Sequence, residues 1–250
     1  MDTKHNVREI VFSTKQTVRL EDYPIPDIDQ DAMFAKIFHI ARPFTMTGKE
    51  AMFALYEAVR YVSALGISGD FVECGVWRGG SALVAALTFR ELGDPRRLWL
   101  YDTFEGMTAP TEVDVDRDGG RAADYIERYG DDGHWCYAGL DEVRATFSDL
   151  GFDAESVTFV QGDVLQTLLE AKPETAAIVR LDTDWYESTR LEMELLYPRL
   201  QPGGVLIIDD YGHWAGSRLA VDEYFADRPR PLLNRTTPAV RMAIKPNVNV

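Results

Sequence analysis

The sequence predicts an α/β fold: a doubly wound, mostly parallel sheet with an antiparallel hairpin at its C-terminal edge and an accessory N-terminal segment. Three observations carry this. Five short runs rich in Val, Ile and Leu are too short for helices, read as buried strands, and are separated by helical stretches. The first run leads into a glycine-rich turn, Glu73-Cys74-Gly75-Val76-Trp77-Arg78-Gly79-Gly80-Ser81. The last two runs each end in paired acids, Asp182 with Asp184 and Asp209 with Asp210. A parallel sheet would bring both pairs to one carboxyl edge, where open sheets of this kind bind ligands.

Residues 1–66 are expected to form an accessory, lid or oligomerisation segment, and residues 67–250 the main domain. Val7 to Leu20 alternates loosely between apolar and polar, and Tyr23-Pro24-Ile25-Pro26 forces an extended turn. Asp29 to Ala41 carries Met33, Ile37 and Phe38 at helical spacing. Thr45-Met46-Thr47, with Glu50 beyond, reads as a hydroxyl-capped entry into a helix over Lys49 to Leu65. Strands follow at Gly69–Gly75, Arg97–Asp102, Val157–Gln161, Ala176–Leu181 and Val205–Ile208. Helices are expected from Gly79-Gly80-Ser81 to Leu92, Leu140 to Leu150, Gly162-Asp163 to Ala171, Tyr186 to Leu200 and Gly216 to Phe225. Residues 103–136 are polar, show no sustained period, and are long for a plain connection, so they read as a lid or binding loop. Pro231–Asn234 and Ala239–Ile244 have no helix between them and read as the edge hairpin.

The 250-residue chain is 46% hydrophobic, enough for a substantial core. Its formal charge of −15 argues against nucleic acid and anionic membranes as partners, because both demand basic patches. Cys74 and Cys136 form neither a disulfide framework nor a zinc pattern, and suit free thiols in a reducing cytoplasm. The N-terminus has no apolar signal core, and no apolar run is long enough to span a bilayer.

Several carboxylates converging at one sheet edge repel each other, and a bound cation would relieve that repulsion. Carboxylate oxygens suit Mg²⁺ or Ca²⁺, so the acids predict a hard-metal site. Asp184 could instead cap the helix beginning near Tyr186, whereas consecutive Asp209 and Asp210 exceed what capping needs. Asp102, at the end of the second strand, could accept hydrogen bonds from a ribose or cap a turn. Gly162-Asp163 could meet an adenine, or Asp163 could cap its helix. The turn at Gly75 lacks the dinucleotide Gly-x-Gly-x-x-Gly spacing. Trp77, Phe104, Trp185, Tyr186 and Trp214 all fall in strand-end loops, where flat rings could hold a sugar or an adenine, or pack as core. His213 could face the site or the surface.

Four blocks together resemble the macrocin-type O-methyltransferases of antibiotic sugars: residues 73–81, Tyr101-Asp-Thr-Phe-Glu-Gly-Met107, Arg180-Leu-Asp-x-Asp-x-Tyr-Glu-Ser-Thr189, and Pro202-Gly-Gly-x-x-x-x-Asp-Asp-Tyr-Gly212. The resemblance spans about residues 42–225. It implies a class I methyltransferase (Rossmann-like) fold using S-adenosylmethionine and Mg²⁺. It implies Glu73, Gly75 and Ser81 near the methionine part of the cofactor, Asp102 on the ribose, and Asp163 with Gly162 near the adenine. Phe104 and Asp182 join the expected cofactor contacts. Metal ligands would be Asp182, Asp209 and Asp210, and the proton acceptor Asp182 or Asp184. Phe44, Met46, Tyr186 and His213 would touch a glycosylated acceptor. A homo-oligomer is expected. The competing expectations are a metal-dependent methyltransferase of catechols or phenols, a nicotinamide-dependent oxidoreductase, and a non-catalytic cofactor-binding module.

Overall fold

A computed structural model describes residues 7–12, 16–21, 24–129 and 135–247. Two strands, β1 (Val7–Phe12) and β2 (Gln16–Glu21), pair antiparallel, Val7 opposite Glu21 and Phe12 opposite Gln16. A short helix α1 (Pro26–Asp29) precedes α2 (Ala32–Ala41) and α3 (Lys49–Ala64). Asp31 caps α2 by accepting from the Phe34 amide, and also accepts from the Tyr56 hydroxyl on α3, so one carboxylate ties the two helices together. The expected hydroxyl cap on α3 does not form. Its N-cap is Gly48, and Thr45 Oγ1 instead accepts from the Thr47 amide in a local turn.

The main sheet alternates with helices in sequence: β3 (Asp70–Cys74), α4 (Gly80–Glu91), β4 (Leu98–Asp102), α5 (Ala122–Tyr129), α6 (Leu140–Asp149), β5 (Val157–Gln161), α7 (Val164–Glu170), β6 (Ala176–Leu181), α8 (Tyr186–Leu196), β7 (Leu200–Ile208), α9 (Ala215–Tyr224), β8 (Asn234–Arg235) and β9 (Arg241–Ile244). Strand order is β5-β4-β3-β6-β7-β9-β8. The first five are parallel, and β9 runs antiparallel to both β7 and β8. Order reverses after β5, placing the switch point between the adjacent strands β3 and β6, where the crevice of such a sheet opens.

Period-two alternation sends side chains to opposite faces. Phe71, Ile178 and Ile207 pack with α2, α3, α4 and α6 on one face. Val72, Val179 and Leu206 pack with α7, α8 and α9 on the other. The first core includes Phe34, Ile37, Met52, Leu55 and Tyr56 from the N-terminal helices, so these helices share the core of the sheet. Gly80 marks the contact: a Cβ there would meet the Phe44 carbonyl and the Thr45 side chain at 2.6 Å. The loop over residues 103–136 contains one helix that the sequence reading left out, α5, which buries Ala122 and sets Tyr125 and Ile126 against Trp185 and Trp214.

Candidate functional site

The carboxyl edges of β3, β4, β5 and β6 border one cavity. Gly75, Asp102, Gly162, Asp163, Asp182 and Asp184 line it, together with Met46, Trp77, Met107 and Cys136. At its floor, Gly75 has φ +84°, and a Cβ there would collide with the Asp182 carbonyl, so only glycine lets the tips of β3 and β6 touch. Trp77, Cys136 and Asp184 also line the cavity with positive φ, of +48°, +56° and +69°. Backbone of this kind in non-glycine residues gathers where tertiary structure holds a site in shape.

Asp102 organises two rims. Its Oδ2 accepts from the Val76 and Trp77 amides at 2.7 and 2.8 Å, and its Oδ1 from the Phe104 amide at 2.7 Å. Burial raises its pKa, against the lowering effect of these amides. Asp163 caps α7 through the Leu165 amide at 2.9 Å while lining the cavity, so the two readings of this residue coexist.

Behind the cavity lies a buried ionic network set by strand register. Glu73 on β3 and Arg180 on β6 are paired residues. Arg180, only 2% exposed, donates to Glu73 Oε1 at 2.8 Å, to Asp182 Oδ2 at 2.6 Å and to Asp209 Oδ1 at 2.6 Å. It also reaches Thr47 Oγ1 at 3.2 Å. Ser81, at the start of α4, donates to Glu73 Oε1 at 2.5 Å. Glu73 and Ser81 are thus held just behind the cavity wall. The sequence reading missed Arg180, although an arginine in the run Ala176-Ala-Ile-Val-Arg-Leu181 is itself a signal, since a buried cation demands buried anions.

Asp182, Asp184 and Asp210 offer oxygens that all lie within 4.8 Å of one another. Asp209, expected in that set, is turned instead to Arg180, and Asp184 takes its place. Asp184 is available because it does not cap α8. The Tyr186 amide is satisfied by Asp114 Oδ1 from the lid at 2.8 Å. Burial raises Asp182 and Asp210 well above the usual carboxylate range, with neighbouring acids adding to it, and pushes Asp184 up to about 7. Asp210 Oδ2 is buried with no hydrogen-bond partner. Three crowded carboxylates with an unpartnered oxygen are a donor set that fits a hard divalent cation.

Other expected residues lie elsewhere. Phe104 is 2% exposed and packs edge-on against Phe159 in the core. Phe44 sits in a 3₁₀ turn against α4, and of the Thr45–Thr47 piece Met46 reaches the cavity. The Tyr186 hydroxyl turns outward to Glu223 at 2.7 Å. His213 stacks edge-on with Trp214 at 4.9 Å, beside the cavity and not in its wall. Trp185 and Trp214 are buried under the lid with their centroids 5.0 Å apart, and Trp185 Nε1 donates to the Thr108 carbonyl.

Comparison with known proteins gives a consistent picture. Residues 3–232 match the family described as macrocin O-methyltransferase (TylF). The 8-demethyl-8-(2,3-dimethoxy-alpha-L-rhamnosyl)-tetracenomycin-C 4'-O-methyltransferase of Streptomyces olivaceus is 41% identical over 181 residues, 72% of this chain and 67% of that protein. The mycinamicin III 3''-O-methyltransferase of Micromonospora griseorubida is 35% identical over 182 residues, 72% of this chain and 69% of that one. Among solved structures, the O-methyltransferase NovP superposes with a TM-score of 0.70 at 30% identity, covering 82% of this chain and 83% of NovP.

Proposed function

The chain belongs to the macrocin O-methyltransferase family and is an O-methyltransferase that uses S-adenosylmethionine; from that premise we propose that its acceptor is a sugar hydroxyl on a glycosylated natural product and that a divalent cation, Mg²⁺ in the first instance, takes part. The observation that carries this reading is the meeting of Asp182, Asp184 and Asp210, the first two on the wall of the same cavity that Gly75, Asp102 and Gly162 line and Asp210 behind it. The relatives named above act on rhamnosyl-tetracenomycin and mycinamicin III, which supports a sugar acceptor.

In this reading Gly75, Asp102, Gly162 and Asp163 receive the cofactor, with Glu73 and Ser81 supporting the wall behind it. Asp182 and Asp210 hold the cation. The third carboxylate is Asp184 as the chain stands, or Asp209 if its bond to Arg180 gives way; in the second case Asp184 is free to accept the acceptor's proton. A bound divalent cation supplies positive charge that lowers the pKa of a nearby hydroxyl. The chain's own part is to fix donor and acceptor in line, and such positioning carries much of the rate in a direct displacement. The lid over residues 103–136, with Met107 and Cys136 on the cavity wall, excludes water.

The test is methyl transfer from S-adenosylmethionine to a panel of rhamnosylated aromatic polyketides and macrolides beside simple catechols, read by mass spectrometry before and after chelation. The expected outcome is methylation of the glycosides alone, lost with chelator and restored by Mg²⁺. Methylation of catechols in preference to glycosides sinks the sugar reading, and full turnover in metal-free buffer sinks the cation.

A further inference from the structure

Arg117, Arg218, Arg235 and Arg241 line one surface recess of about 480 Å³ with Tyr211 and Gly212. This is unusual in a chain with 41 acidic and 26 basic residues. Several arginines elsewhere find acids, among them Arg78 with Glu142, Arg190 with Glu187 and Arg230 with Asp222. In the recess, Arg218, Arg235 and Arg241 have no acidic partner among the described residues, and Arg117 has a loose one, Asp118 at 3.8 Å.

The geometry brings these charges together and keeps them there. Arg241 is 8% exposed and held by carbonyls of its own turn, Val240 at 3.0 Å and Thr237 at 3.2 Å. Arg218 gives Nε to the Tyr211 carbonyl at 3.1 Å. Both guanidiniums flank the Tyr211 ring, 5.8 Å and 5.2 Å from its centroid. Burial and then the nearby Arg235 lower the Arg241 pKa, the mark of like charges crowded together. Arg235 belongs to β8 and Arg241 to β9, and the two residues are register partners, so the antiparallel edge hairpin sets their spacing. Arg117, Arg218 and Arg235 are exposed and so open to a ligand, and forked guanidiniums match phosphate oxygens in twos.

We propose that this recess binds the diphosphate group of a small molecule. Tyr211 follows Asp210 directly, so the cationic recess adjoins the acid cluster, with consecutive Cα atoms about 3.8 Å apart. Two sources share this chemistry: a sugar still joined to its nucleoside diphosphate, and a free nucleotide.

The experiment is calorimetry on the full chain in metal-free, low-salt buffer, with inorganic pyrophosphate, uridine diphosphate, UDP-glucose and uridine as probes. Pyrophosphate and uridine diphosphate are expected to bind in the sub-millimolar range, uridine not at all, with affinity falling as salt rises. The Arg218→Gln, Arg235→Gln double variant is expected to bind both at least tenfold more weakly, while S-adenosylhomocysteine binds as in the parent, showing an intact fold. Tighter binding of UDP-glucose than of uridine diphosphate assigns the site to a sugar diphosphate; the reverse assigns it to a free nucleotide. No pyrophosphate binding at millimolar concentration, or equal binding by the double variant, overturns the proposal. So does a smaller sedimenting species for the double variant without any anion binding, which would make the recess a contact between copies. None of these readings uses methyl transfer, so failure of the sugar reading leaves the test intact.

Discussion

Asp114 Oδ1 accepts the hydrogen bond of the Tyr186 amide at 2.8 Å, so helix α8 is capped by a residue 72 positions earlier in the chain. The other oxygen of Asp114 accepts from the Thr111 amide and hydroxyl, fixing the lid strand that delivers the cap. Gly216 of α9 packs against the same carboxylate, leaving no room for a Cβ. Asp114→Ala is expected to lower stability by about 1 kcal/mol, as loss of a helix cap does, and to raise KM for the acceptor more than KM for S-adenosylmethionine. Gly216→Ala should reproduce the effect. Thermal melts and steady-state kinetics check both, and an unchanged acceptor KM in the two variants would dissociate the lid from the acceptor.

Asp210→Asn removes a cluster carboxylate that does not line the cavity of Gly75 and Asp102. Activity is expected to fall at least about a hundredfold, the scale of losing a transition-state electrostatic contact, with the dissociation constant of S-adenosylhomocysteine moving less than threefold. Stopped assays and calorimetry measure the two quantities.

Asp184→Asn and Asp209→Asn separate the two candidates for the third carboxylate. The variant that raises the Mg²⁺ concentration for half-maximal rate by tenfold or more marks the ligand. If that residue is Asp209, Asp184→Asn is expected to lower kcat with the metal requirement unchanged.

Arg180→Met leaves Glu73, Asp182 and Asp209 without their shared cation. Breaking a buried ion network in this way costs about 3–5 kcal/mol. The loss of Tm is expected to be greater at pH 8 than at pH 5, where acids can protonate, and differential scanning calorimetry at both pH values checks this.

Glu192 of α8 is buried, accepts from Thr183 Oγ1 at 2.9 Å, and keeps its Oε2 unpartnered. Burial pushes it up from 4.5 to about 8. A carboxyl whose folded pKa is raised favours the folded chain below its unfolded value and gives that up as pH climbs toward the folded one. Glu192→Gln is therefore expected to match the parent near pH 5 and to melt higher at pH 8.5. At about 1.4 kcal/mol per pKa unit the gain at alkaline pH is at most a few kcal/mol. Equal melting points at both pH values would show that Glu192 titrates normally.

Strand positions were legible because buried parallel strands are short unbroken apolar runs: Val157–Gln161 and Ala176–Leu181 have the bounds that the runs suggested. The acids at their ends were legible for the same reason, since the end of a strand fixes a location. The lid was harder. Helix α5 has Ala122, Tyr125, Ile126 and Tyr129 at helical spacing, but its 8 residues are too few to stand out among glycine and aspartate. The cap on α8 was out of reach, because Asp114 and Tyr186 meet only through the tertiary fold. Local reasoning therefore offered the helix to Asp184, its sequence neighbour. Asp209 entered the expected metal set through the family resemblance, while Arg180, on the neighbouring strand, engages it here.

At Gly75 the chain ends of β3 and β6 meet backbone to backbone, with no side chain between them. The Gly75 turn and the turn that bears Asp182 are in effect one casting, and neither can be widened without prising the sheet apart. Engineering toward bulkier acceptors therefore has its latitude in the lid over residues 103–136, whose described residues supply no strand to the seven-stranded sheet. Libraries confined to that span should keep foldable proteins at high frequency, whereas diversity at position 75 should yield almost none.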